Sequence, residues 1–179
     1  MWYQATMRCL SRGFILSATA LFGSLGASGC RSTQVWFSSD DELTTVLTDE
    51  MGTATDTLDV AVYTFTSEDI RDAIINAHSR GVAVRVVIDV WATNDIIASA
   101  LEEAKVPTRR AAGYDDSLGD PGIMHHKFAV MDQQSVATGS FNFTLSADSK
   151  NHENLLIVSD PALAGQYTNA FNQLWKQAD

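Results

Sequence analysis

The sequence predicts an α/β fold with a mixed, largely parallel central sheet that is flanked by helices on both faces. Short apolar segments typical of buried strands alternate with segments of helical periodicity from residue 34 onward, and this alternation favours helices layered on a sheet. The length of 179 residues is enough for one well-packed domain, and the sequence contains no internal repeat that would indicate a second one.

The first half of the chain is predicted to form three strands, each followed by a helix. Residues 34–38, 57–65 and 82–89 are the strands, because each is a short apolar run. The apolar positions that predict the helices are Leu43, Val46, Leu47 and Met51, then Ile70, Ala73, Ile74 and Ala77, then Ile97, Ala100, Leu101 and Ala104. Either Thr66 or Ser67 is suited to cap the second helix.

The second half adds shorter strands and a final helix. Further strands are expected at 106–110, 127–131, 136–138 and 155–158. Residues 111–122 are rich in glycine and aspartate, which predicts a loop and a candidate gate for a cleft. The last helix is expected to begin at Pro161, after Asp160. Its large residues, Tyr167, Phe171, Leu174 and Trp175, keep helical spacing, which indicates core packing and not a stacking surface for bases.

One set of polar residues points to chemistry. It has the spacing H-x-K-x4-D followed by G-S-x-N and a later acidic residue, and its members are His125, Lys127, Asp132, Gly139, Ser140, Asn142 and Glu153. An imidazole can act as a nucleophile or carry a proton near neutral pH, an ammonium group can neutralise phosphate oxygens, and hydroxyl and amide groups can donate hydrogen bonds to them. These groups are suited to attack on a phosphodiester, and they require no metal or other cofactor.

With this signature the chain resembles the phospholipase D superfamily, whose motif H-x-K-x4-D-x6-G-S-x-N is complete here through Asn142. Because the motif occurs once in a short chain, the resemblance is to the single-motif bacterial endonuclease branch. It extends from Gln34 to the C-terminus. The resemblance implies the phospholipase D-like fold for the catalytic domain, residues 31–179.

The resemblance also implies a role for each matched residue. His125 would attack phosphorus in one copy of the motif and protonate the leaving oxygen in the other, and Lys127 would neutralise the phosphate. Ser140 and Asn142 would contact the phosphate, and Glu153 would orient the histidine ring. Asp132 completes the catalytic motif, but its place at the end of an apolar run favours a buried supporting role.

Strand geometry explains the spacing. Residues two apart in a strand point to the same face, so His125 and Lys127 would project together while His126 points away. A turn at residues 132–135 would then return the chain and bring Ser140 and Asn142 back beside them.

The chemistry of phosphodiesters predicts a homodimer. Attacking and leaving groups lie in line on opposite sides of phosphorus, so one histidine cannot serve both. A chain with one motif obtains the second histidine from another copy, and a two-fold dimer would place His125 and Lys127 of both subunits around one composite site. The two histidines would start in opposite protonation states, which predicts a bell-shaped dependence of rate on pH and activity that survives a chelator.

A metal site is the less favoured reading of the histidines. His125, His126 and His152 could supply ligands, but adjacent positions on a strand are poor for chelation and no cysteine joins them. We therefore expect no metal.

The first thirty residues are predicted to be an export signal. Arg8 and Arg12 precede a short apolar core, and Cys30 ends a run of small residues. This ending resembles a bacterial lipoprotein signal with Cys30 as the lipidated residue, and ordinary cleavage or an uncleaved anchor remains open. The chain would then be exported and held on a membrane, at the periplasmic side or the cell surface, and Arg31 after the cysteine leaves outer-membrane sorting open.

Net charge limits the partners. A formal charge of −10 argues against long, sequence-independent contact with a polyanion, although it leaves local phosphate binding open. Arg109 and Arg110 form the only adjacent basic pair of the sequence, and either rim the cleft or lie at a solvated strand end. The leading functional hypothesis is hydrolysis of nucleic-acid phosphodiesters. A phospholipid phosphodiesterase is the second, and a membrane-anchored scaffold without turnover is the third.

Overall fold

The protein is described by a computed structural model over residues 31–38, 40–92, 95–115, 119 and 121–179. The signal segment predicted for residues 1–30, with its lipidation site Cys30, lies outside the described residues. Within the described ranges, no helix combines the length and the apolarity needed to span a bilayer.

One eight-stranded sheet forms the centre of the domain, with the order β1-β8-β7-β6-β2-β3-β4-β5. Its strands are β1 (Ser32–Phe37), β2 (Thr57–Val62), β3 (Ala83–Asp89), β4 (Thr108–Asp115), β5 (Pro121–Ile123), β6 (Lys127–Met131), β7 (Ser135–Gly139) and β8 (Asn154–Ser159). The helices are α1 (Leu43–Gly52), α2 (Glu68–Ser79), α3 (Asp95–Glu103), α4 (Leu145–Ser149) and α5 (Pro161–Gln177).

Helices cover both faces of the sheet, so the predicted α/β class is confirmed. Helices α1, α2 and α3 bury their apolar faces on one side through residues such as Leu47, Ile74 and Leu101. Helix α5 covers the other side and packs Phe171 against the sheet. Ser67 caps α2, and Asp160 caps α5 by accepting a hydrogen bond from the amide of Ala162 at 2.9 Å.

The expectation of a largely parallel sheet is wrong. Only the β2–β3 and β3–β4 pairings are parallel, and the other five pairings of described strands are antiparallel. The physical reason lies in the connections. Helices link β2, β3 and β4 and allow parallel neighbours, whereas a tight turn at residues 132–134 joins β6 to β7 and forces them to run antiparallel.

The structure differs from the sequence prediction at two further places, both in segments with few apolar residues. The predicted loop at 111–122 is partly a ribbon, because β4 continues to Asp115 and pairs with β5. Gly113 permits this close approach, since a Cβ atom there would lie 2.6 Å from the backbone nitrogen of Ile123. The short helix α4 was not expected, although Thr144 caps it by accepting from the amide of Ala147.

The sheet has two ends that matter for function. At the end that we call the site pole, β2 ends at Val62, β6 begins at Lys127, β7 ends at Gly139 and β8 begins at Asn154. At the opposite end, the base pole, lie Ser32, Thr57, Met131, Ser135 and Ser159. Four motif residues, His125, Lys127, Ser140 and Glu153, lie at or directly beside the site pole.

Candidate active site

His125 and Lys127 lie on the same side of the chain at the site pole. His125 comes just before β6, and its ring packs on that of Tyr63 with centroids 4.7 Å apart. The Lys127 Nζ atom donates to the His125 carbonyl at 2.9 Å and lies 5.1 Å from the centroid of the Tyr63 ring. The ring of His126 instead packs on Phe128, with centroids 5.3 Å apart.

Ser140 and Glu153 form the second half of the cluster. The Ser140 hydroxyl donates a short hydrogen bond to the Glu153 carboxylate, and it accepts one from the Asn154 amide at 3.1 Å. Asn151 donates from Nδ2 to the other carboxylate oxygen of Glu153 at 3.1 Å. These contacts follow from the β7–β8 pairing, because Ser140 follows β7 directly and Glu153 precedes β8.

Gly139 makes this pairing possible. A Cβ atom at residue 139 would lie 2.2 Å from the carbonyl oxygen of Asn154, well inside contact distance. The glycine of the motif therefore serves close backbone approach, and it sets the position from which Ser140 reaches Glu153.

The expected contact between Glu153 and the histidine ring is not formed within the described part of the subunit. The carboxylate of Glu153 is occupied by Ser140 and Asn151, and no hydrogen bond joins it to His125. Its charge does act on Lys127: burial lowers the pKa of Lys127, and Glu153 offsets a part of this effect. The orienting role of Glu153 thus stays a prediction.

Asn142 lies between the buried residues Phe141 and Phe143, which anchor its segment to the core. The carbonyl of Phe143 accepts from the amides of Thr66 and Ser67, each at 2.9 Å. The Oδ1 atom of Asn142 is buried and has no hydrogen-bond partner among the described residues. An unsatisfied buried acceptor costs about 1–3 kcal/mol, and native proteins tolerate such a cost mainly where a residue has another task.

Burial adjusts the charges around the site. The pKa of Lys127 is lowered because burial disfavours its ammonium form, and the nearby Glu153 only partly offsets this effect. Loss of hydration also lowers the pKa of His126, and the charges of Lys127 and His125 act in the same direction. We therefore expect His126 to be neutral at pH 7.

Asp132 lies at the base pole, away from His125 and Lys127. The prediction that it is a catalytic residue is therefore wrong. Asp132 follows β6, whose first residue Lys127 is five positions away, about 17 Å along a strand. Its carboxylate accepts from the amides of Thr55, Asp56 and Thr57 at 2.8–3.2 Å. Burial raises its pKa, but these hydrogen bonds outweigh that effect and lower it overall. Asp132 thus fastens the turn after β6 to the start of β2.

The basic pair is engaged by the C-terminal end of the chain and by α3. Arg109 donates to the carbonyl of Trp175 at 2.7 Å and stacks on its ring, with 4.5 Å between the guanidinium carbon and the centroid. Arg110 forms an ion pair with Asp95 at 2.8 Å, and its backbone bonds that of Asp179. Both arginines therefore hold the C-terminal end of the chain against β4. This structural role differs from both expectations, which were a place on the rim of the cleft and a solvated strand end.

A groove of about 280 Å³ adjoins His125. It lies between the β4–β5 ribbon and α5, and its lining includes Tyr114, Ile123, Met124, His126 and Leu174. Tyr114 is 87% exposed and Ile123 is 47% exposed. Sequence reasoning missed Tyr63 and Tyr114 as site residues; the only signal for Tyr63 is an aromatic residue directly after a buried strand.

No group of three or more His, Cys, Asp or Glu residues in the described ranges is placed to hold a metal ion. His152 is exposed beside Glu153, and it lines a different pocket, together with Phe37 and Ser38.

Comparisons with known proteins agree with this architecture. A family described as "Cardiolipin synthase, PLD-like domain" matches residues 47–175. A mitochondrial cardiolipin hydrolase of Chlamydomonas reinhardtii is 34% identical over 148 residues, which cover 82% of this chain and 64% of that protein. A phospholipase D of Rickettsia bellii is 33% identical over 126 residues, which cover 69% and 59%. The chain thus spans less than two thirds of the length of these relatives.

Solved structures show the same fold. Nuc of Salmonella typhimurium, a phospholipase D family member, has a TM-score of 0.72 and 30% identity, and the match covers 83% of this chain and 97% of that one. NucT of Helicobacter pylori has a TM-score of 0.74 at 24% identity, with 83% and 98% covered.

Proposed function

The chain belongs to the phospholipase D superfamily of phosphodiester hydrolases, and we propose that it cleaves nucleic-acid phosphodiesters through a phosphohistidine on His125. One observation supports the proposal most. The nucleophile candidate His125 is exposed at the site pole, and Lys127 and the Ser140–Glu153 pair lie at the same pole. An exposed imidazole next to a cation, with a hydroxyl group at the same end of the sheet, is suited to receive a phosphate.

The reaction would proceed in two steps. A ring nitrogen of His125 attacks phosphorus, the bond from phosphorus to the leaving oxygen breaks, and a second histidine gives that oxygen its proton. That second histidine then takes a proton from water, whose oxygen attacks phosphorus and breaks the bond from phosphorus to nitrogen. Lys127, Ser140 and Asn142 would stabilise the charge that develops on the phosphate oxygens. No step needs a metal.

The second histidine would be His125 of another copy in a two-fold dimer. His126 is the neighbouring histidine and lines the same groove, but its ring packs on Phe128, with 5.3 Å between centroids, and it does not belong to the motif. A symmetric partner supplies an identical imidazole and a second Lys127 without any further motif.

Nucleic acid is the leading substrate by resemblance to the single-motif endonuclease branch. The groove beside His125 supports this choice, because 280 Å³ is suited to one base with part of its sugar and Tyr114 offers a stacking surface. Among the described basic residues, Arg85, Arg109 and Arg110 are engaged within the fold, so these three are not free to bind a strand.

A phospholipid is the second candidate. The curated relatives named cardiolipin hydrolase and phospholipase D favour it, and the exposed side chains of Tyr114 and Ile123 could contact an apolar part of a lipid. A scaffold without turnover is less well supported, because a binding protein has no need of the complete set of motif residues.

We also propose export and membrane attachment through Cys30. This placement is supported by the basic start, the apolar core and the small residues before the cysteine.

The function is tested by incubating the purified protein, with a chelator present, with DNA, RNA and cardiolipin-containing vesicles. We expect cleavage of nucleic acid that His125→Ala lowers by about a thousandfold or more, whereas the neighbouring His126→Ala stays within about tenfold. Acid-quenched reactions on labelled substrate should yield labelled protein with wild type and none with His125→Ala. Cleavage of lipid without nucleic acid would make the second candidate the function, and no cleavage of any substrate would favour the scaffold.

A further inference from the structure

The chain enters the domain at the end of the sheet that lies opposite the active site. Ser32, the first residue of β1, pairs with Ser159 at the base pole, and Arg31 forms an ion pair with Asp160 at 3.4 Å. Strand β1 then runs to the site pole, where Phe37 pairs with Asn154.

The path of β1 sets a distance between the membrane attachment and the active site. Five residue steps separate Ser32 from Phe37, and at about 3.4 Å per residue the strand covers about 17 Å. Beyond Phe37, the amide of Ser38 donates to the carbonyl of Glu153 at 3.2 Å, and Glu153 returns a bond to the Ser38 hydroxyl at 2.9 Å. The far end of β1 is thus tied to the proposed catalytic cluster.

The link to the anchor has almost no slack. Only Arg31 stands between Cys30 and the first paired residue, and two residue steps span at most about 7 Å. For the site to reach the surface that holds Cys30, the domain would have to turn over on this link or strip β1 from β8. Six residue pairs in register oppose the second route.

We infer that the anchored protein stands on its base pole, with His125 facing away from the membrane that holds it. The site then acts on phosphodiesters that arrive from the aqueous compartment, and not on lipids of its own leaflet. This inference rests on the proposed anchoring and hydrolysis. It holds for a lipidated Cys30 and for an uncleaved anchor, because both enter the domain at Arg31.

The proposed dimer is compatible with this orientation. Two anchors can lie in one membrane only if the two-fold axis is parallel to the membrane normal. Such an axis runs roughly along the strands, sets both base poles on the membrane, and lets the two His125 side chains face each other at the far end. The composite cleft then opens to water.

Orientation can be measured without activity. The full chain is produced with its export signal, reconstituted in proteoliposomes, and labelled from outside with a membrane-impermeant fluorescent maleimide. Ala162→Cys reports on the base pole, and Leu145→Cys and Ile96→Cys report on the site pole, where their side chains are 73% and 80% exposed. The wild-type chain is the control for labelling at Cys30.

Nitroxide lipids with the quencher at the headgroup should quench the Ala162→Cys probe strongly and the two site-pole probes weakly. Quenching of a site-pole probe as strong as that of Ala162→Cys would overturn the inference, and so would the absence of quenching at all three positions. A twenty-residue Gly/Ser insertion after Cys30 has a root-mean-square reach of about 25 Å and should reduce the difference between the poles.

An activity measurement separates this inference from the proposed function. In the same vesicles, the anchored protein should cleave soluble single-stranded DNA within about twofold of the detergent-released protein, and should leave phospholipid of its own vesicle intact. If the anchored protein cleaved phospholipid of its own vesicle faster than the detergent-released protein does, the proposed orientation would be wrong. Failure to cleave DNA, together with the expected quenching pattern, would instead reject only the proposed substrate.

Discussion

The rings of His125 and Tyr63 pack against each other with centroids 4.7 Å apart and planes inclined by 55°. Tyr63 follows β2, and its amide donates to the carbonyl of His126 at 2.8 Å, so backbone and side chain both hold the segment before β6. The same ring lies near the Lys127 ammonium. Tyr63 therefore positions both His125 and Lys127, although it is not itself a residue of the motif.

Replacing the Tyr63 ring should disturb the positions of His125 and Lys127 more than it weakens substrate binding. We expect Tyr63→Ala to lower kcat by about tenfold, because an aromatic pair contributes about 0.5–1.5 kcal/mol, while KM changes little. Tyr63→Phe keeps the ring and should retain most of the activity. Steady-state kinetics over a range of pH would check this, and equal kinetics for Tyr63→Ala and wild type would contradict the positioning role.

A composite site predicts how activity depends on mixed subunits. If both His125 side chains serve one site, a dimer of one wild-type and one His125→Ala subunit is inactive, so activity follows the square of the wild-type fraction. An equal mixture, refolded together, should keep about a quarter of the activity. Retention of about half would indicate that each subunit works independently.

The order of strands and helices could be predicted from the sequence because burial leaves a local pattern. The apolar runs of β2 and β3 and the capping residues Ser67 and Asp160 are each visible within a few residues. The direction of pairing is not local. The run 127–131 has the composition of a buried strand in either direction, and only its insertion between β2 and β7 makes it antiparallel to both.

The site could be predicted in part for the same reason. Residues two apart share a face, which placed His125 and Lys127 together. Contacts that depend on distant elements were missed, namely the packing of Tyr63 on His125 and the binding of Arg109 to the end of α5. Asp132 is intermediate: its place after an apolar run indicated support, but the partners at residues 55–57 are visible only in the fold.

Lys127 should limit the rate on the alkaline side. Because burial lowers its pKa, the charged form is lost as pH rises through a value below that of an ordinary lysine. With bis(p-nitrophenyl) phosphate, whose leaving group needs little protonation, the alkaline fall in kcat should report this loss. Lys127→Arg should lower the rate at neutral pH by about tenfold but flatten the alkaline fall, because a guanidinium stays charged. An unchanged alkaline profile would argue against contact between Lys127 and phosphate.

Gly139→Ala should harm both fold and site. The new Cβ atom would lie 2.2 Å from the Asn154 carbonyl oxygen, so β7 and β8 must separate and Ser140 must leave Glu153. We expect the free energy of unfolding to fall by about 1–3 kcal/mol and kcat to fall at temperatures where the protein is still folded. Gly165→Ala is the matched control, because a Cβ atom there meets nothing within 4 Å inside α5. It should be neutral or stabilising, and equal effects of the two changes would reject the close-approach explanation.

Asp132→Asn tests whether this motif residue serves stability and not catalysis. Its folded pKa is depressed by hydrogen bonds from Thr55, Asp56 and Thr57, so its stabilising contribution is fully present above the unfolded value, about 3.9, and is lost as pH falls through the folded value. At pH 7 the amide should lower the free energy of unfolding by about 1–2 kcal/mol, since it accepts hydrogen bonds through one oxygen only. In urea denaturation the difference from wild type should shrink steadily as the pH is lowered below about 4.

The same variant should keep its kcat at pH 7, because Asp132 lies at the base pole, about 17 Å along β6 from Lys127. Asp56→Asn removes an equal charge from the segment before β2, which contacts Asp132, and it leaves the backbone amide that binds Asp132, so it controls for charge alone. A hundredfold loss of turnover in a folded Asp132→Asn protein would contradict this prediction and show that the carboxylate acts on the reaction. With the fold intact, the loss of hydrogen bonds at the base pole should leave His125 in place.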